Sequence, residues 1–192
     1  NDITKSATFT IVDVTDPTWT VMPSDMTVEC DGSGNTAAVT AWLNSFSGSD
    51  VCSGSAVVTN NYSGLSDLCG ATGSATVLFT LTDACGNDIT KSATFTIVDV
   101  TDPTPICHDI TIYLDNFGNY TLTQANINTI GAGSSDICSG SLVTLSVSKS
   151  MFNCSDVGPN NIVLTVTDDC SNTSTCTAIV TVVDNIPPAI TC

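Results

Sequence analysis

Residues 76–83 read TVLFTLTD, with Val77, Phe79 and Leu81 at alternate positions, and residues 162–169, IVLTVTDD, place Ile162, Leu164 and Val166 the same way. Period-two alternation in Val, Ile, Thr and Phe predicts strands with one buried face, because successive side chains leave opposite sides of the pleat. Each run meets a short turn, ACGN at 84–87 or CSN at 170–172, and then a second alternating run, ATFTIVDV at 93–100 or TAIVTVVD at 177–184. Each pair predicts a hairpin. Upstream of each lie a short strand (DMTVEC, DITIYL), a turn rich in Gly and Asn (DGSGN, DNFGN), a stretch with room for a helical turn (TAAVTAWLNSF, YTLTQANINTI) and the turn SDVCSG or SDICSG. Short strands with turn signals every ten or so residues predict an all-β chain folded as antiparallel sandwiches of immunoglobulin type. Trp19 and Trp42 read as packing residues within them.

The pattern recurs because the sequence recurs. NDITKSATFTIVDVTDPT fills positions 1–18 and returns unchanged at 87–104. A diverged third copy lies on the second at an offset of 85, setting Cys85 on Cys170, Asn87 on Asn172, Ala93 on Ala178, Asp99 on Asp184, Pro103 on Pro188 and Cys107 on Cys192. Self-similarity at a fixed period marks a tandem array with one small domain per period. The organisation expected is the closing strand and linker of a preceding repeat at 1–17, full repeats at 18–102 and 103–188 joined end to end, and the start of another at 189–192.

Composition narrows the partners. Nineteen acidic residues stand against three Lys and no Arg, giving a net charge of -16, and Glu29 is the only Glu. Phosphate binding needs clustered cations, so nucleic acid is excluded as a partner, and anionic membrane surfaces are disfavoured for the same reason. A hydrophobic fraction of 42% sets the chain apart from acidic disordered tails. Its apolar runs are too short to span a bilayer, so membrane insertion is not expected.

Ten cysteines in modules of this size indicate disulfides and an oxidising compartment. Zinc is the weaker reading, since the sequence has no CxxC pair and a single His. Sandwich topology puts the loop between the second and third strands at the same end as the closing hairpin turn, which pairs Cys52 with Cys85 and Cys138 with Cys170. Cys30 and Cys69 meet at the opposite end. In the second repeat Leu114 stands where Cys30 would be, and Cys107 on the first strand pairs with Cys176 on the last. Cys154 is left without an obvious partner, and Cys192 belongs with a following repeat.

The ending TCTAIVTVVDNIPPAITC, like ATFTIVDVTDPTPIC before it, resembles the hyalin-repeat module, an immunoglobulin-like domain, over essentially the whole chain. The DACGN turn, the TVECDGSGN and FNCSDVG segments and the absence of Arg are similar to repeat regions of secreted Bacteroidetes adhesins, including those of gliding flavobacteria. That resemblance implies a type IX-secreted, extracellular surface protein whose repeats form a stalk or filament. Its expected partners are neighbouring repeats of the same chain, surface glycans and other copies of the filament. The linker DVTDPTP at 99–105 resembles the calcium-binding linker of cadherins. Calcium takes six to eight hard oxygens, which Asp supplies on a short arm. The candidate ligands are Asp13, Asp16, Asp50 and Asp83 at one junction, and Asp99, Thr101, Asp102, Asp136 and Asp168 at the next. The other reading of these acids is that they cap turns and solvate the surface.

Catalysis has little to stand on. His108 is not repeated, and the neighbours Asp168 and Asp169 point to opposite faces of a strand, so they make no general acid/base pair. Asn61, Asn119, Asn153 and Asn172 each open an Asn-x-Ser/Thr sequon. The function expected is a structural, adhesive repeat of a surface filament, stiffened by disulfides and calcium and supporting adhesion or gliding. The alternatives are a polysaccharide- or ice-binding module and an accessory domain of a large secreted hydrolase.

Overall fold

The computed structural model describes residues 3–187, and the start of a further repeat expected at 189–192, with Cys192, lies outside them. The chain forms two compact units. The first comprises Asn1–Val28, Thr36–Ser66 and Ser74–Thr96; the second comprises Glu29–Asn35, Asp67–Gly73 and Ile97–Cys192. The second unit therefore includes two short loops that the sequence assigns to the first repeat.

Through the first repeat the order is β1 (Thr18–Val21), β2 (Met26–Glu29), α1 (Thr36–Leu43), β3 (Ser47–Asp50), β4 (Gly54–Ser55), β5 (Val57–Asn60), β6 (Gly73–Thr82) and β7 (Asp88–Val98). One sheet runs β1-β3-β4 and the other β2-β7-β6-β5. The alternation of β6 and β7 buries Val77, Phe79, Leu81, Ala93 and Phe95. Against them α1 lays Trp42, whose ring centroid is 5.2 Å from Phe79 and 5.4 Å from Phe95, with Phe46 at 5.7 Å. Its indole N–H donates to the Ser24 carbonyl at 2.9 Å, so the one polar atom of this buried side chain is satisfied.

The second repeat repeats the plan with β8 (Ile110–Tyr113), β9 (Asn119–Thr121), α2 (Gln124–Ile130), β10 (Thr144–Val147), β11 (Met151–Asn153), β12 (Gly158–Thr167) and β13 (Thr173–Val183). Its sheets run β10-β12-β13-β8 and β11-β9. The core holds Ile112, Leu114, Leu122, Ile130, Phe152, Ile162, Leu164, Val166, Ala178, Val180 and Val182. A reciprocal capping box between Thr123 and Asn126 opens α2. The chain is an all-β sandwich protein, and its pairing is not wholly antiparallel: β8 lies parallel to β13, Ile110 opposite Val180 and Tyr113 opposite Val183. Hydrophobic alternation gives which face is buried and is silent on strand direction, so the sequence had no means of marking this pair.

The cysteines depart further from expectation. Three disulfides form: Cys30–Cys138, Cys69–Cys170 and Cys107–Cys176, with Cα separations of 5.9, 5.2 and 6.0 Å. The pairings Cys30–Cys69, Cys138–Cys170 and Cys52–Cys85 are not formed, and Cys52, Cys85 and Cys154 are exposed and unpaired among the described residues. The correction has a steric basis. The loops Glu29–Asn35 and Asp67–Gly73 lie against the Cys138 turn: a Cβ on Gly32, whose φ is +71°, would fall 2.5 Å from the Ile137 carbonyl oxygen, and one on Gly70 would fall 3.1 Å from that of Cys138. The Ala71 N–H donates to the Cys138 carbonyl at 3.1 Å. With those loops seated, Cys30 and Cys69 face Cys138 and Cys170 rather than each other.

Candidate metal centre

Two equivalent clusters of acidic side chains form, one in each unit. A carboxylate oxygen of Asp13, one of Asp50 and the Cys52 sulfur lie within 4.8 Å of one another, and Asp99, Asp136 and Cys138 do the same. Asp50 and Asp136 are placed by their own turns. Asp50 Oδ1 accepts the N–H groups of Cys52 at 2.7 Å and Ser53 at 2.9 Å. Asp136 Oδ1 accepts those of Cys138 at 2.6 Å and Ser139 at 2.9 Å. This is the usual reason for Asp at the head of a turn. The linker acids do likewise: the Thr15 N–H donates to Asp13 Oδ1 at 3.0 Å and the Thr101 N–H to Asp99 Oδ1 at 3.2 Å.

In each of these four residues one oxygen is satisfied and the other is not. The Oδ2 atoms of Asp13, Asp50, Asp99 and Asp136 are buried without a hydrogen-bond partner. Asp50, Asp99 and Asp136 are only 7%, 9% and 6% exposed. Buried charged oxygens are normally paired, so four orphans at equivalent positions call for a counter-charge.

Asp83 and Asp168 stand one step back. Asp83 Oδ1 accepts the N–H groups of Cys85, Gly86 and Asn87 at 2.8, 2.7 and 2.9 Å, and its Oδ2 accepts from Asn87 Nδ2 at 2.8 Å. The Asn87 amide also donates to the Asp13 carbonyl at 3.4 Å. Asp168 accepts from Asn172 N and Nδ2, both at 2.9 Å, and Asn172 Nδ2 reaches the Asp99 carbonyl at 3.3 Å. Each Asp–Asn pair therefore holds the linker backbone that carries the first carboxylate of its cluster. Asp83 and Asp168, expected as ligands, have both carboxylate oxygens engaged in these hydrogen bonds and lie outside the two clusters. Asp16, Thr101 and Asp102 are exposed and belong to neither cluster.

Three further residues, none of them among the expected ligands, complete this arrangement. Asn87 and Asn172 were legible in the repeated D-x-C-x-N spacing of 83–87 and 168–172. The third is Glu29, whose carboxylate accepts from the Val100 N–H at 2.9 Å and the Thr101 hydroxyl at 2.8 Å. Nothing local to Glu29 signals that contact, which spans 71 residues to Val100.

The surroundings shift these carboxyls in opposite directions. The Val100 N–H, then the Thr101 hydroxyl, hold Glu29 below the ordinary carboxylate range. The Asn87 side chain does the same for Asp83, and the Ser53 N–H for Asp50. Burial, with the charges of Asp136 and Asp168 adding to it, pushes Asp99 up. An acid whose charge is disfavoured by neighbouring acids is one that a cation relieves.

The donor set selects the kind of ion. Cys138 is consumed in a disulfide, so its sulfur offers no thiolate, and the ligands common to both clusters are carboxylate oxygens. Hard oxygen donors suit Ca²⁺ or Mg²⁺ and not zinc. Elsewhere the His108 ring nitrogen Nε2 lies 3.0 Å from the Ala132 carbonyl. Asp168 is buried while Asp169 is exposed, so the two do not converge. An open groove of about 350 Å³ by Asn128, Ser134, Ser135 and Leu145 is lined by no titratable side chain. No helix among the described residues is long and apolar enough to cross a membrane.

No protein-family model matches the chain, and no curated protein sequence matches it. Among solved structures it is similar to Drosophila N-cadherin EC1-4, at 13% identity and a TM-score of 0.39, over 88% of this chain and 49% of that one. Human mucin-like protocadherin EC1-2 aligns at 11% identity and a TM-score of 0.38, over 87% of this chain and 98% of that one. The fibronectin(III)-like modules of Clostridium thermocellum CbhA align at 13% identity and a TM-score of 0.26, over 88% and 94%. The chain thus spans about half the length of the N-cadherin structure. Likeness at this level says nothing about what the chain binds.

Proposed function

We propose that the chain is a structural repeat of an extracellular surface filament, and that each repeat holds a divalent cation, calcium, at its linker. The observation that carries the reading is the duplication of one pocket: a linker Asp and a turn Asp, each with a buried orphan oxygen, at Asp13 with Asp50 and again at Asp99 with Asp136. Acids that merely solvated a surface would have no reason to hold buried, unpartnered oxygens at the same two positions twice. Bound there, calcium supplies the counter-charge that lets both carboxylates stay ionised out of water. With two protein carboxylates at its centre, the site belongs in the affinity range of extracellular modules, Kd about 10⁻⁴ to 10⁻³ M.

Disulfides between cysteines of the first and second sequence repeats support a load-bearing role, since they tie consecutive periods covalently. They also fit an oxidising location. The finer identity, a stalk repeat of a secreted Bacteroidetes adhesin serving adhesion or gliding, rests on the resemblance of the TCTAIVTVVDNIPPAITC and DACGN segments.

The test is thermal melting of the native chain and of Asp99→Asn with Asp136→Asn, each in calcium and in chelator. A ligand that binds only the folded state stabilises it by RT ln(1 + [L]/Kd), about 2.7 kcal/mol at a hundredfold excess. The native chain is expected to gain stability with calcium, and the double variant to keep only the gain from the first unit. An unchanged native melting point defeats the cation reading.

A further inference from the structure

The two disulfides that reach from the first sequence repeat into the second have acceptors in register with two unpaired cysteines. Cys138 sits in SDICSG, the counterpart of SDVCSG with Cys52, and Cys170 sits in D-x-C-x-N, the counterpart of the motif with Cys85. Cys138 is covered, 7% exposed, where the loops carrying Cys30 and Cys69 lie on it. Cys52 and Cys85 are exposed, and Val51 beside Cys52 is 93% exposed. The turns themselves are the same: Asp50 caps one as Asp136 caps the other, and Asp83 binds Asn87 as Asp168 binds Asn172. The first unit therefore presents the surface that, in the second, carries a seated partner.

We infer that Cys52 and Cys85 are a docking site for a further copy of this repeat on the N-terminal side, which bonds them through its own counterparts of Cys30 and Cys69. The bond order follows the pattern observed, Cys30-type to Cys52 and Cys69-type to Cys85. This inference does not depend on a bound cation. Each bond forms by exchange with a small disulfide such as oxidised glutathione. One thiolate attacks it and releases one glutathione; the partner thiolate attacks the mixed disulfide and releases the second, so the protein thiols lose two electrons and two protons and two glutathione thiols are made.

Cys154 fits the same scheme from the other side: it aligns with Cys69 at the offset of 85, where the second repeat keeps one donor and replaces the other by Leu114.

The repeat itself supplies the experiment. Because residues 1–18 and 87–104 are identical, a copy of residues 18–86 placed ahead of Asn1 continues the array with no new sequence at the join. The extended chain is refolded in a glutathione redox buffer and mapped by mass spectrometry of non-reduced digests. Expected are peptides joining Cys30 to Cys52 and Cys69 to Cys85, both lost when the added copy carries Cys30→Ser and Cys69→Ser. Donor cysteines of the added copy left reduced, or bonded to each other, would overturn the inference. A second measurement covers failure of the extended chain to fold. In the original chain, oxidised glutathione should leave Cys52 and Cys85 as separate mixed disulfides; a direct Cys52–Cys85 bond would also overturn it.

Discussion

Phe9 and Phe95 hold the same place in two identical eighteen-residue stretches, yet Phe9 is 89% exposed and Phe95 is 0% exposed. Residues 88–98 form β7 beside β6, whereas residues 3–12 form no strand, and Ile3, Ile11 and Val12 are exposed with Phe9. Local propensity is identical in the two copies, so the neighbour decides: a strand needs a ladder partner and an apolar face to cover it, and only the second copy has β6 beside it. The final residues of the stretch behave alike. Asp13 and Asp99 each accept the N–H two residues on, each meet a turn Asp, and each have their carbonyl held by an Asn side chain. The first part of the stretch is made by long-range pairing. The last part is made by contacts with turns that every repeat carries.

Phenylalanine-to-alanine substitutions in the two copies have the largest expected difference. Phe95→Ala removes a fully buried ring packed on Trp42 and should cost about 3 to 5 kcal/mol. Phe9→Ala, in the same local sequence, should change stability by less than about 0.5 kcal/mol. Urea unfolding of the two variants gives both values. Equal losses would mean that residues 3–12 are packed, contrary to their exposure.

A smaller effect separates the two repeats by pH. Lys149, then the Asn153 N–H, hold the Asp156 carboxyl below its ordinary value of 3.8. A carboxyl depressed by folding adds stability above its unfolded value, and that contribution disappears as pH falls through the folded value. Ala71 stands at the equivalent position of the first sequence repeat, which therefore lacks this acid-sensitive pair. Urea midpoints below about pH 4 should fall less steeply for Asp156→Asn than for the native chain. Equal slopes would remove Asp156 from the account.

Much of this fold is legible in the chain. The alternation of Val77, Phe79 and Leu81 and of Ile162, Leu164 and Val166 marks the buried faces of β6 and β12, and all six residues are buried. Trp42 packs against Phe46, Phe79 and Phe95. What the chain did not disclose lies in contacts across repeats. Sandwich topology within one repeat pairs Cys30 with Cys69, whereas the two bond residues 108 and 101 positions away. Asp spacing alone could not separate Asp50 and Asp136, which keep an orphan oxygen, from Asp83 and Asp168, which do not. That distinction is made by Asn87 and Asn172, whose amides occupy the second oxygens.

Calcium titration by calorimetry shows whether one cation pocket is built twice. Two calcium ions per native chain are expected, one per chain for Asp99→Asn with Asp136→Asn, one for Asp13→Asn with Asp50→Asn, and none when all four are changed. Absence of binding to the native chain, or a stoichiometry of two that survives all four substitutions, would contradict it.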